Sequence, residues 1–192
     1  LSYWIGESMT NDWGTTYAGH FMIEAEKKGY ILPLNFMDQW IKFQQNAARS
    51  WRNNANNYYN ADLSQAYRLY TLALAGHPDL ASMNRLRESN NLSNDAKWRL
   101  AAAYALASQK EAAEQITKTA NINFKPLNSR RYDYTYGSVD RNRAMAMETM
   151  VILKDKKAIE MAKTIAKELS SNRWMSTQTT AYSSVSYTHL RA

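Results

Sequence analysis

The sequence predicts an all-α fold built of antiparallel helix pairs. Three observations carry this. Apolar residues recur at helical spacing in segment after segment, most breakers sit between those segments, and just 6 glycines and 3 prolines occur in 192 residues. Hydrophobic residues make up 45% of the chain, near the globular average, and the length suffices for one domain with a sizeable core.

The first helix is expected over Asp12–Tyr30, with Asp12 as N-cap. Its predicted apolar face is Trp13, Tyr17, Phe21 and Ala25, with Glu24 and Glu26 outward. Gly14, Ala18 and Gly19 leave room for a second helix, and Gly29 suits a left-handed stop. Pro33 is expected to open the next helix, with a stripe of Met37, Trp40, Ile41, Ala47, Ala48 and Trp51. Asp62 would cap a third helix bearing Leu63, Ala66, Tyr67, Tyr70 and Ala73, stopped by Gly76-His77-Pro78. Leu80, Met83 and Leu86 mark a short fourth. Residues Ser93 to Asp95 offer caps for an alanine-rich fifth, and Ala112, Ala113 and Ile116 mark a sixth. From Asn121 to Ser138 the helical period is lost. Two more helices follow, with Ala144, Met147 and Met150 and then Ile159, Ala162 and Ile165, and Ser176 caps a ninth. Pairs joined this way fit either an open solenoid or a closed α/α toroid, and no constant repeat near 34 residues decides between them.

Chemistry is sparse. There is no cysteine, which excludes disulfides, thiol catalysis and cysteine zinc sites within the chain. The sequence carries no HExxH, no paired histidines and no phosphate-binding glycine loop, so neither cofactor nor metal is expected, and no catalytic residue. His20 reads as a structural histidine beside an apolar face, and His77 as part of a turn. Met145, Met147 and Met150 read as core filler. The net charge of +7 comes from scattered lysines and arginines, which reads as a solvated surface rather than a nucleic-acid site. Two tyrosine-rich loops form a candidate contact surface: Tyr58 and Tyr59 in one, and Arg130, Arg131, Tyr132, Tyr134 and Tyr136 in the other. The plainer reading is that these loops pack on their own domain. A glycosidase- or cyclase-like toroid would need acids converging at one mouth, with Asp12, Asp62 and Asp140 the available candidates.

Five segments together resemble the helical thioester-containing domain of bacterial alpha-2-macroglobulins. They are Tyr3-Trp4-Ile5-Gly6 with Asp12-Trp13-Gly14-Thr15-Thr16-Tyr17-Ala18-Gly19-His20-Phe21 and Lys28-Gly29-Tyr30; Ala66-Tyr67 with Leu72-Ala73-Leu74-Ala75-Gly76; Leu92-Ser93 through Leu100 to Tyr104; Tyr136-Gly137-Ser138 with Arg141, Arg143, Ala144 and Met145; and Trp174-Met175-Ser176-Thr177-Gln178-Thr179-Thr180-Ala181-Tyr182. Their order and spacing match over residues 1–185. The resemblance implies an incomplete α/α toroid of the terpenoid-cyclase and complement thioester-domain type. It implies a protease trap whose partners are target proteases and the other domains of a longer chain. That protein would be periplasmic or at the cell surface, with a lipid anchor outside this segment as its link to the membrane. In that family a Cys-x-Glu-Gln motif forms an internal thioester that acylates the trapped protease. This sequence has no such motif, so the thioester is expected upstream of Leu1, or not at all. Residues 186–192 break the family's pattern and read as a non-native or truncation tail. The alternative is a helical-repeat binding module without thioester chemistry.

Overall fold

The computed structural model describes residues 1, 6, 10–53, 61–124 and 135–191, excluding the side chains of residue 61 and residues 187–191. Among the described residues there are nine helices and no strand. They are α1 (Asp12–Lys27), α2 (Phe36–Ser50), α3 (Ala61–Leu74), α4 (Leu80–Arg87), α5 (Asn94–Leu106), α6 (Lys110–Lys118), α7 (Val139–Ile152), α8 (Lys157–Leu169) and α9 (Thr177–Arg191).

The helix starts follow side-chain chemistry. Asn11, rather than Asp12, caps α1, accepting from the Gly14 N–H at 2.6 Å. This frees the Asp12 carboxylate to pair with Arg68 at 2.9 Å. Asp79, Ser93 and Ser138 cap α4, α5 and α7 in the same way. Pro33 lies in the turn before α2, which starts three residues later from a left-handed Asn35. Asp62 lies within α3, where one carboxylate oxygen accepts from the Leu63 N–H and the other from the Ser93 N–H.

Four helices end in one motif. In α1, α3, α5 and α7 the residue after the cap turns left-handed, and the next N–H reaches back five residues. These bonds are Tyr30 to Ala25 at 3.1 Å, and His77 to Leu72, Gln109 to Tyr104 and Asp155 to Met150, each at 2.8 Å. The left-handed residues are Gly29, Gly76, Ser108 and Lys154, so only half of these stops carry the glycine that suits them.

Packing sorts the helices into two layers. The odd-numbered helices form an inner row, α1 on α3, α3 on α5, α5 on α7 and α7 on α9. The even-numbered helices back them: α2 lies on α1 and α3, α4 on α3 and α5, α6 on α5, and α8 on α7 and α9. The two ends of the inner row meet, since Tyr182 of α9 lies against Tyr17 and His20 of α1, with ring centroids 5.8 and 6.4 Å apart. The core is the space between the layers, filled by residues such as Leu63, Leu69, Leu72, Met83, Leu86, Leu100 and Met147.

The buried face of α1 is rotated from the expected one. Trp13, Thr16, His20 and Ile23 face inward, while Phe21 is 68% exposed. The small residues act as expected at Gly19. A Cβ there would overlap the indole of Trp40, whose Nε1 donates to the Thr15 carbonyl at 2.9 Å. Helix α9 continues through residues 186–191, and the Ser186 hydroxyl donates to the Ala144 carbonyl at 2.9 Å.

Candidate functional site: a polar axis among the inner helices

Each inner helix sends at least one polar side chain to a common buried centre. These are His20 from α1, Tyr67 and Tyr70 from α3, Arg99 from α5, Glu148 from α7 and Tyr182 from α9. Arg99 and Glu148 form an ion pair at 2.6 Å with both side chains almost wholly out of solvent. The Tyr70 hydroxyl donates to the other Glu148 oxygen at 3.0 Å. The Arg99 guanidinium also lies over the Tyr70 ring, 4.3 Å from its centroid. Stacking of this kind offsets part of the cost of leaving Arg99 Nε and Nη2 without a hydrogen bond. His20 Nδ1 meets the Tyr67 hydroxyl at 2.9 Å, and His20 Nε2 is buried without a partner.

Burial and charge set the protonation of this centre. Burial pulls the Arg99 guanidinium down, but the Glu148 carboxylate together with Tyr70 and Tyr182 more than reverses that, so it stays charged. Burial lowers the His20 imidazole to about 4, with the Glu148 charge opposing that shift and the Arg99 charge adding to it. The ring is therefore neutral at physiological pH. Burial also raises Tyr67, Tyr70 and Tyr182, so all three keep their phenolic protons. A charged pair flanked by neutral hydrogen-bonding groups is an arrangement that fixes helices relative to one another.

A second network ties α1, α2 and α3 together. Arg68 reaches Asp12, Gln44 and Gln65, Gln44 bonds Thr16 at 3.2 Å, and Gln65 bonds the Ala48 carbonyl. A third surrounds Arg141, which is fully buried. It donates to Thr135, Asn142 and Gln178 and lies over the Trp13 indole at 4.9 Å.

Two clefts flank the inner row near α1 and α9. One, of about 590 Å³, is lined by Asn11, Trp13, Tyr17, Tyr136, Ser176 and Gln178 among others. The other, of about 140 Å³, lies between Tyr17, His20, Phe21, Ala181, Tyr182 and Val185.

Of the expected contact surface, Tyr58, Tyr59, Arg130, Arg131, Tyr132 and Tyr134 lie outside the described residues. Tyr136 is described. It is 60% exposed, left-handed, and placed at the rim of the larger cleft. The three acids weighed for a toroidal enzyme are each engaged elsewhere: Asp12 with Arg68, Asp62 with two backbone N–H groups, and Asp140 with Arg143 and Arg173. Among the described residues no group of three or more His, Asp or Glu side chains has metal-binding geometry. Nor, among them, is any helix long and apolar enough to cross a membrane. His77 is exposed in its turn. Sequence reasoning missed Arg99, Glu148, Arg141 and Tyr182 as a polar set, because buried charge on an alanine- or methionine-rich helix carries no periodic signal.

Two layers of helices around a polar axis define an all-α helical-pair domain. Its counterparts among solved structures are bacterial alpha-2-macroglobulins. The native conformation of the Escherichia coli protein matches with a TM-score of 0.84 and 16% identity, over 99% of this chain and 12% of that one. The Salmonella protein reacted with methylamine matches at 0.82 and 19% identity, over 98% of this chain and 13% of that one. The E. coli protein activated by porcine elastase matches at 0.78 and 19% identity, over 98% of this chain and 18% of that one. At these identities the likeness is one of fold, and the chain spans about an eighth to a fifth of the length of these neighbours. No family model and no curated protein sequence matches the chain. The motifs that suggested the resemblance supply most of the polar axis: His20 comes from the first, Tyr67 from the second, Arg99 lies within the third, and Tyr182 closes the fifth.

Proposed function

We propose that the chain is part of a bacterial alpha-2-macroglobulin-like protease trap, and that it acts as the helical scaffold of that protein's thioester-type domain. The observation that carries this is the agreement of fold over 98% of the chain with the Salmonella protein. The inner row whose ends meet through Tyr17, His20 and Tyr182 favours a toroid over an open solenoid. The role is one of support and contact rather than catalysis. With no cysteine in the chain, the acyl chemistry belongs to a Cys-x-Glu-Gln segment upstream of Leu1. The partners are the proteases trapped by the whole protein and its other domains, and the location is the periplasm or cell surface, with a lipid anchor outside this segment.

The test uses the full-length protein. It is incubated with elastase or trypsin, and residual activity is followed on a large protein substrate and on a small peptide ester. A trap suppresses cleavage of the large substrate and spares the small one. Equal loss on both, or no loss on either, overturns the proposal. Labelled methylamine then separates the finer reading: stoichiometric incorporation supports an upstream thioester, and none removes that part alone.

A further inference from the structure

A cleft of about 580 Å³ lies where α6 ends and α8 begins, away from the inner row. Its floor includes Trp98 of α5, 4% exposed, whose Nε1 donates to the Asn121 carbonyl at 3.0 Å. Ala120 and Ile122 add apolar surface, and Ile122 is 42% exposed. Lysines line both sides. Lys118 is the last residue of α6 and Lys157 the first of α8, and both are exposed. A third, Lys97, donates to the carbonyl of Thr119, another lining residue, at 3.2 Å. Among the described residues no carboxylate lies within ion-pair distance of these three lysines. The nearest acid along each helix is turned to another lysine: Glu114 lies 3.8 Å from Lys110, and Glu160 2.8 Å from Lys163. Asp155 also lines the cleft, and its Oδ1 accepts from the Lys157 backbone N–H at 2.9 Å. Exposed Lys154 and Lys156 flank it in sequence. The balance of charge around the cleft is therefore positive.

We propose that this cleft docks an acidic peptide segment, with an apolar side chain on Ile122 and Ala120 and carboxylates beside Lys118 and Lys157. Its volume falls within the range of roughly 300–1,000 Å³ usual for ligand clefts. Complementary charge selects the partner, since a neutral or basic peptide leaves the lysines without counterions. A single exposed ion pair contributes little, so affinity needs both lysines and the apolar floor acting together. Inorganic polyphosphate meets the same charge but offers nothing to Ile122, which is why a peptide fits this lining better.

The experiment titrates the full-length protein into a fluorescent peptide of sequence Glu-Glu-Leu-Glu-Glu and follows anisotropy. Two further peptides replace every Glu by Gln, or the Leu by Ser. Lys118→Glu with Lys157→Glu reverses the cleft. Lys110→Glu with Lys163→Glu makes the same change in net charge on the same two helices, outside the lining. Circular dichroism checks that each variant keeps its helices. The expected result is saturable binding that weakens as salt is raised. It should fall at least about fivefold for the Gln peptide and for the cleft variant, and by less than about twofold for the control variant. The Ser peptide and an Ile122→Ser variant should each cost about threefold. Absence of saturable binding to the unmodified protein overturns the proposal. So does binding of the Gln peptide within fivefold of the acidic one, or a cleft variant that loses no more than the control. Displacement of the peptide by tripolyphosphate at an equal concentration replaces it with a phosphate site. No protease enters this measurement, so failure here leaves the protease-trap reading in place.

Discussion

Helices α5 and α8 are the same length, 13 residues, yet they are built on different rules. The outer helix α8 buries one stripe, Ala158, Met161, Ala162 and Ile165, and turns its lysines and glutamates to water. The inner helix α5 is buried nearly all round, from Ala96 to Tyr104, and carries an arginine in its middle. An outer helix holds its place by one apolar face. An inner helix is packed on every side, so its orientation is set by something more directional, here the Arg99–Glu148 pair and the tyrosines around it.

The comparison can be broken most sharply at that pair. Glu148→Ala leaves the Arg99 guanidinium buried and uncompensated, and should lower the unfolding free energy by about 3–5 kcal/mol in a denaturant titration. The double replacement Arg99→Met with Glu148→Leu should recover most of that loss, since neither charge is then stranded.

Acid should weaken the same centre. His20 is neutral in the fold with its pKa lowered to about 4, against about 6.5 when unfolded. Between these values the unfolded chain binds the proton and the folded chain does not. The associated stability is present above about pH 6.5 and is lost as the pH falls toward 4, by roughly 3 kcal/mol in all. Denaturation measured across that window, beside a His20→Phe variant, should show the variant with a shallower slope. Parallel slopes would remove His20 from the account.

Smaller effects belong to the helix ends and the outer layer. Ser108 holds a left-handed conformation at the stop of α5, where α1 and α3 use glycine. Ser108→Gly should raise stability by about 0.5–1 kcal/mol, read as a higher melting temperature. On α8 the Lys163–Glu160 pair is mostly exposed on both sides. Glu160→Ala should change stability by less than about 0.5 kcal/mol, against the several expected for Glu148.

The same contrast explains what the sequence revealed. Helices α2, α6 and α8 announce themselves, because one face meets water and the apolar residues recur accordingly. The stops at Gly29 and Gly76 were legible for the same local reason, and those at Ser108 and Lys154 were not, because nothing in a serine or lysine asks for a left-handed turn. The buried face of α1 differs from the expected apolar stripe because Thr16 and His20 are polar and fall outside any hydrophobic pattern. They are buried because partners from α2 and α3, Gln44 and Tyr67, meet them. Arg99 and Glu148 are 49 residues apart in sequence, with α6 between their helices, and no local pattern joins them. The loop residues gave up little, since most of the tyrosine and arginine surface lies outside the described segments, and Tyr136 alone was placed at a cleft.

The meeting of Tyr182 with Tyr17 and His20 also says something about how the chain comes to be folded. The partners come from α1 and α9, the described helices farthest apart in sequence. During synthesis, α1 through α8 emerge while the place beside His20 still stands empty, and early hairpins can form only from neighbours in sequence. Their contact waits for α9 and carries the loop-entropy cost of joining helices far apart in sequence. Of the nine described helices α9 is made last, and it is the one that brings Tyr182 to His20.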